Sequence, residues 1–367
     1  MPDLRLQIFG RTVAVHPGSG LPGDVLRREL AVYPRAPRDA EPDLSVIVGA
    51  APTGEILSSN PSVHVERAGG FTARYVVAEV DHVWREGRLR ELRVRVNRPG
   101  SALWRQAQRA ADFQFATREA RIGMVMHESA LVPGAALDPE RVPLHASALE
   151  QPDGTMLLLG GTGGVGKTSL CMELGRQPGY RFAADDIAVL DASGHVYPNL
   201  AYPKVYAYNL MGDDPLRQSI LGGRGVLDRV HWHAHRLRGL DKVRRRVSPD
   251  VLYGPPSAGG RAGRYLLLMR EARSGIAVEP VEVEKAAALS ARVLETELAA
   301  LLKHASWHAY NARLLGREPR VTPEGLLAGW RQTLAQALSG ATCEIARIPR
   351  DMEHGAFRRE MGAVLRS

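Results

Sequence analysis

The chain has 367 residues, 44% of them hydrophobic, and 48 Lys+Arg against 40 Asp+Glu, a formal net charge of +8. That length and apolar content bury a substantial core divided over two domains, while no run approaches the roughly 18 apolar residues of a membrane span. The basic surplus permits nucleic acid as a partner without favouring it, because the arginines spread over the whole chain instead of gathering in one arm.

Residues 1–98 predict a β-rich N-terminal domain. Leu4 to Val15 alternates, Leu44 to Val48 is a short apolar run, and Phe71 to Val80 and Leu92 to Val96 follow with the period of a half-buried strand. The Pro- and Gly-rich gaps, Tyr33 to Pro42 and Gly49 to Pro61, predict loops. Pro99-Gly100 stops the last strand. Ser101 then caps a predicted helix through Trp104, Ala107 and Ala111, and a second helix runs to about Ser129. Residues 99–141 are therefore a predicted helical connector. The first residues, Met1-Pro2-Asp3-Leu4-Arg5-Leu6, lack the basic-then-apolar order of a secretory signal. Cys171 and Cys343 are too few for a disulfide framework. A cytoplasmic location is expected.

From Val142 to the last residue the pattern alternates β and α, predicting a third segment, 142–367, of α/β class. Met156-Leu157-Leu158-Leu159 is an apolar strand, and Ser169 to Leu174 is helix-like. Between them Gly161-Thr162-Gly163-Gly164-Val165-Gly166-Lys167-Thr168 fits G-x-x-x-x-G-K-[ST] in its required strand–loop–helix setting. Such glycines let backbone N–H groups close on phosphate oxygens, and the helix N-terminus adds its dipole. Gly161, Gly163, Gly164, Val165, Gly166, Lys167, Thr168 and Ser169 are thus the expected nucleotide contacts. Lys167 is placed at the β/γ-phosphates and Thr168 on Mg²⁺. Only five of the 48 basic residues are Lys, so a lysine at this position is more informative than in an average chain.

Tyr180 to Leu190 is a strand-like stretch interrupted by Asp185-Asp186, 17 residues after Thr168. Neighbours on a regular strand face opposite ways, so both carboxylates serve one site only at a strand end or bulge. Asp191-Ala192-Ser193-Gly194 predicts a hairpin turn into His195 to Tyr197. Tyr202 to Tyr208 follows on a predicted strand, with Lys204, Tyr206 and Tyr208 sharing a face. Lys204 is either a γ-phosphate partner or an exposed lysine. His231-Trp232-His233-Ala234-His235 alternates three histidines along a predicted strand; with no cysteine or acidic ligand beside them, they read as a substrate-binding or exposed segment more than a metal site. Lys242, Arg244 and Arg246 share a face if extended, suited to phosphates, to an acidic substrate or simply to solvent. Gly222 to Gly225 and Gly254 to Gly260 predict mobile segments able to act as a lid. Tyr265 to Met269 is a core strand, Val281 to Leu315 is helical, Thr322-Pro323 opens a last helix, and Cys343 to Pro349 is a closing strand.

His145-Ala146-Ser147, an apolar run, the glycine-rich loop, a helix and Ala184-Asp185-Asp186 together resemble the C-terminal domain of the HPr kinase/phosphorylase family, which shares features with ATP-dependent phosphoenolpyruvate carboxykinase. The motif-level resemblance covers residues 142 to 210, and Gly179 lies in the turn before the acidic pair as in the family. It implies a P-loop core of the HPr-kinase/PEP-carboxykinase type with a smaller β-rich N-terminal domain. It also implies that Asp185 takes the proton of an acceptor hydroxyl and that Asp186 joins Thr168 on the metal, the two roles being exchangeable. His145 is similar to the family histidine near the transferring phosphate; the alternative is a core histidine bonded to a backbone carbonyl. A Pro followed by a basic residue is common among relatives, which places Pro203-Lys204 near the γ-phosphate. The downstream glycine-rich signature of the bifunctional enzymes is missing, so the resemblance implies a divergent HPr-kinase-like protein.

The expected function is transfer of the γ-phosphoryl group of ATP, with Mg²⁺, to a serine-type hydroxyl in a peptide, protein or small molecule. A nucleotide-switched binding module without a phosphorylated product is the alternative, and an RNA kinase is a third reading. The expected partners are a nucleotide and a hydroxyl-bearing substrate, with no membrane; the sequence is compatible with an oligomer.

Overall fold

Alternating burial builds the first sheet. Leu4, Leu6 and Ile8 point inward while Arg5 and Gln7 are half-buried, and Leu92 and Val94 repeat the pattern further along. The computed structural model describes residues 4–60, 63–97, 101, 107, 111, 112, 114 and 117–366. In it β1 (Leu4–Ile8), β2 (Arg11–His16), β3 (Leu44–Val48), β4 (Ile56–Asn60), β5 (His64–Arg67), β6 (Gly70–Arg74), β7 (Ala78–Arg85) and β8 (Arg88–Val96) form one sheet, ordered β1-β2-β3-β8-β7-β6-β5-β4. β3 pairs in parallel with β2 and β8; the other pairs are antiparallel.

Two stretches expected as single strands are hairpins. Leu4 to Val15 turns at Phe9 and Gly10, which take φ of 54° and 72°. Phe71 to Val80 turns at residues 75–77, so β6 and β7 pair antiparallel. The predicted loop at 49–61 carries the edge strand β4, and the helix Gly20–Glu29 buries Val25 and Leu26 without having been predicted. The helix expected from Ser101 falls largely outside the described residues. The second one is present: Thr117 caps it by accepting the Ala120 N–H at 3.1 Å, and the helix Arg118–Met124 passes into a π-helical turn, Val125–Leu131, and then Val132–Ala136.

The second sheet runs β12-β10-β11-β17-β19-β18, from β10 (Ala146–Glu150), β11 (Met156–Gly160), β12 (Arg181–Ala184), β17 (Gly260–Glu271), β18 (Ala277–Pro280) and β19 (Thr342–Pro349). β11, β17 and β19 are parallel. β9 (Val142–Leu144), β13 (Ala188–Leu190) and β14 (His195–Tyr197) extend it from the start of β17. β15 (Lys204–Tyr206) and β16 (Arg244–Arg246) pair separately. All five residues of β11 are buried, as a central parallel strand requires. Helices Val283–Glu297 and Pro323–Leu338 pack against each other, the latter opened by Thr322 accepting the Gly325 N–H at 3.0 Å. The chain is a mixed α/β protein with more than one sheet, and none of its described helices is long and apolar enough to cross a membrane.

The predicted strand around His231 is corrected: Val226–Arg236 is a helix. Asp228, His231, Trp232 and His235 recur at helical spacing and are buried, whereas His233 is exposed. The three histidines therefore do not share a face, and no group of described residues holds them in a metal-binding arrangement.

Candidate active site

The buried strand β11 ends at Gly160, and the glycine-rich loop follows at the carboxyl edge of the parallel strands, where ligands bind in open α/β sheets. Gly161, Gly164 and Gly166 take φ of 127°, 79° and 116°, the left-handed region that suits glycine. A Cβ on Gly161 would meet the Leu268 carbonyl oxygen at 2.6 Å, and one on Gly166 would land on the Phe357 ring. Gly163 and Gly164 face open space, leaving their backbone accessible to a ligand. Val165 is buried, and the Arg270 guanidinium donates to its carbonyl at 3.3 Å.

Lys167 opens the helix Lys167–Leu174. Its ammonium is buried and donates to the carbonyls of Gly161 at 2.9 Å and Thr162 at 3.0 Å, with His145 Nε2 2.9 Å away. Burial lowers its pKa against the opposing pull of Asp186, Asp185 and Glu297. His145 sits between β9 and β10, buried, with Glu297 Oε1 3.1 Å from Nδ1 and Asp186 Oδ1 3.2 Å from Nε2.

The acidic pair lies where β12 stops. Asp186 takes φ of 75°, an uncommon conformation for a residue with a side chain, and this brings both carboxylates to one cleft. Asp185 is buried and accepts from Ser147 Oγ at 2.8 Å and from Thr168 Oγ1 at 2.9 and 3.2 Å. Burial and the Asp186 charge raise its pKa, opposed by those hydroxyls. Asp186 is half-exposed, with Oδ2 3.2 Å from Lys204 Nζ. Burial raises its pKa, but the Lys204 ammonium and the His145 hydrogen bond outweigh burial and hold the carboxyl well below its usual range. Lys204 also reaches Glu128 Oε1 at 2.8 Å; these two carboxylates outweigh the effect of burial and raise its pKa.

His145, Gly163, Gly164, Gly166, Lys167, Thr168, Ser169, Asp185, Asp186 and Lys204 line one cleft of about 780 Å³. Gly161 and Val165 support the loop from within the core. Of the expected basic face, Arg244 lines the cleft, Lys242 pairs with Asp241 at 2.6 Å, and Arg246 is taken up by Glu29 in a buried bidentate pair at 3.0 and 2.9 Å. Neither glycine-rich segment expected as a lid is among the lining residues. Ser257, within the second, is buried and bonded to Glu150 at 2.6 Å. Sequence reasoning missed Glu128, Arg270, Glu297 and His354. Nothing near them in the chain marks them, since they come from separate helices and from the end of β17. The hard oxygen donors of Thr168 and Asp185, with open glycine backbone beside a lysine, fit a magnesium nucleotide.

No family model matches the chain, and no curated protein matches it. Among solved structures, one match is titled "Structure of the Hpr(Ser) kinase/phosphatase from Coxiella burnetii". It has 10% sequence identity and a TM-score of 0.25, and covers 61% of this chain and 95% of that chain. At that TM-score the shared backbone is too slight to bear on the site or its chemistry.

Proposed function

We propose that this chain is an ATP-dependent kinase that transfers the γ-phosphoryl group to an alcohol acceptor. The observation that carries the reading is the convergence in one cleft of the glycine-rich loop, the Thr168–Asp185 pair and Asp186 held between His145 and Lys204. Phosphoryl transfer asks for a phosphate cradle, a metal-side carboxylate, a group for the acceptor proton and cations around the transferred charge. These residues offer one of each.

The contacts favour exchanging the roles that the resemblance implies for the acidic pair. Asp185 touches the Thr168 hydroxyl, the metal-side group of such loops, and so belongs with it on Mg²⁺. Asp186 faces the cleft and takes the acceptor proton. Thr168 and Asp185 would hold Mg²⁺, which would offset the negative charge of the phosphates. Lys167 and the amides of Gly163 and Gly164 hold the phosphates, and Lys204 balances charge from the other side. His145 ties Lys167 to Asp186, so cation and base keep one geometry. The acceptor oxygen bonds to the γ-phosphorus as the bond to the β-phosphate oxygen breaks; the acceptor proton goes to Asp186, and ADP leaves.

Incubation with γ-labelled ATP and Mg²⁺ in cell extract, split into protein, RNA and small-molecule fractions, tests the reading. Label in one fraction, lost with Asp186→Asn, is the expected result and identifies the acceptor class; label in RNA would make it an RNA kinase. Bound ATP with no transferred label would instead indicate a nucleotide-switched binding module.

A further inference from the structure

The kinase reading gives Lys204 a task but leaves the rest of its wall of the cleft without one. Lys204, Tyr206 and Tyr208 occupy alternate positions from β15 onward and all line the cleft. Lys204 is at the Asp186 end. Tyr208 is beside Asn209, whose Nδ2 donates to Ser169 Oγ at 2.8 Å. In a loop of this kind Lys167 marks the β/γ end of the triphosphate, and the backbone amides hold the α- and β-phosphates. Tyr208 lies just beyond β15, in the 3-10 turn Ala207–Leu210, and passing along this wall from Lys204 to Tyr208 leads from the transferred phosphate towards the nucleoside.

The side chains along that path form a column of rings. Arg244 covers Tyr206, with its guanidinium 5.6 Å from the ring centroid and a 2.9 Å bond to the hydroxyl. Tyr206 stacks on Tyr208 at 5.2 Å and 10°, and His354 meets Tyr208 edge-on at 5.0 Å. His354 Nε2 is buried and has no hydrogen-bond partner. Asn209 fixes the turn that carries Tyr208 by accepting the Tyr206 N–H at 2.9 Å. Rigid half-buried rings next to an unpaired ring nitrogen, all lining a phosphate-binding cleft, suit a flat heteroaromatic ligand with polar edges.

We propose that Tyr208 and His354 seat the nucleoside, with the base against the Tyr208 ring and an edge group bonded to His354 Nε2. This rests on the kinase reading and adds the site that distinguishes a nucleotide from a bare polyphosphate. Calorimetric titration of the full chain with MgATP and, separately, with magnesium tripolyphosphate tests it. Tyr208→Ala is expected to weaken ATP binding about 5- to 150-fold, the range of one base–aromatic stack, while tripolyphosphate affinity stays within about twofold of wild type. His354→Ala should also weaken ATP alone, and Tyr208→Phe, which keeps the ring, should restore the preference for ATP. Tripolyphosphate binding doubles as a fold control, and His354→Ala, at the start of a helix, carries the test if Tyr208→Ala does not fold. Equal losses for both ligands, or no loss for either, would overturn the nucleoside seat while leaving the kinase reading intact. A wild-type chain that binds neither ligand would overturn both.

Discussion

Asp185 and Asp186 are adjacent in the chain but meet different surroundings, and that difference separates their tasks. Asp185 is enclosed by two hydroxyl donors, whereas Asp186 is half-exposed and faces two nitrogen groups. In the proposed mechanism Asp186→Asn removes the proton acceptor without touching the phosphate cradle. Transfer should fall by about 10²–10⁴-fold, the usual contribution of a general base, with ATP affinity nearly unchanged. Asp185→Asn should instead raise the Mg²⁺ concentration needed for tight nucleotide binding. Titrating Mg²⁺ against ATP binding in both variants separates the two roles. If Asp185→Asn keeps the wild-type Mg²⁺ requirement and Asp186→Asn loses it, the roles are the reverse of those proposed.

Among the elements, the strand β11, the loop and the helix Lys167–Leu174 act as one rigid unit because the loop's glycines are locked from outside it. Gly166 has φ of 116° and lies against Phe357 of the helix His354–Arg366, while Gly163 faces open space. Gly166→Ala should therefore destabilise the protein by about 1–3 kcal/mol from backbone strain, with the ring contact adding to it, and should lose ATP and tripolyphosphate together. Gly163→Ala should leave the melting temperature near wild type. Paired thermal melts check this, and similar temperatures for both variants would refute the locked loop. This unit was legible in the sequence because its glycines, lysine and apolar strand are contiguous. The hairpins at Phe9-Gly10 and 75–77 were not, because alternation runs on through a tight turn. Val226–Arg236 misled for another reason: apart from Trp232 its buried face is polar, with Asp228 bonded to Arg245 at 2.7 Å and His231 to the Asp112 carbonyl at 2.7 Å, while Val226, Leu227 and Val230 are exposed. Val226, Leu227, Val230, Ala234 and Leu237 do recur at a helical period, but on the exposed face, and the alternating histidines beside them imitated a strand. Glu128 and Glu297 escaped because their partners, Lys204 and His145, lie far away in the chain.

Across the whole molecule, the N-terminal sheet joins the rest through buried polar groups as well as apolar ones. His64 Nδ1 lies 3.3 Å from His304 Nδ1, Glu66 accepts from His308 at 3.0 Å, and the Tyr33 hydroxyl accepts the Leu200 N–H at 2.9 Å. Such contacts make stability depend on protons. Burial lowers the pKa of His82 to about 3 and those of His127 and His304 to about 4, against about 6.5 in an unfolded chain. The folded state therefore keeps these rings neutral, and the unfolded state binds protons first as pH falls. Their stabilisation is complete above about pH 6.5 and is lost progressively as pH drops from there, towards about 4 for His127 and His304 and about 3 for His82. Glu66 acts in the same direction at lower pH. Burial raises its pKa, but the hydrogen bonds and charges of His308 and His64 outweigh burial and lower it, so its contribution is present above about 4.5 and fades below. The melting temperature should accordingly be flat between pH 7 and 8 and fall steadily from pH 6.5 to 5. His304→Gln, which cannot gain a proton, should lower stability overall but shallow that slope. Melts of both proteins at half-unit pH steps provide the comparison, and a slope identical in the two would mean that His304 is not kept neutral by the fold.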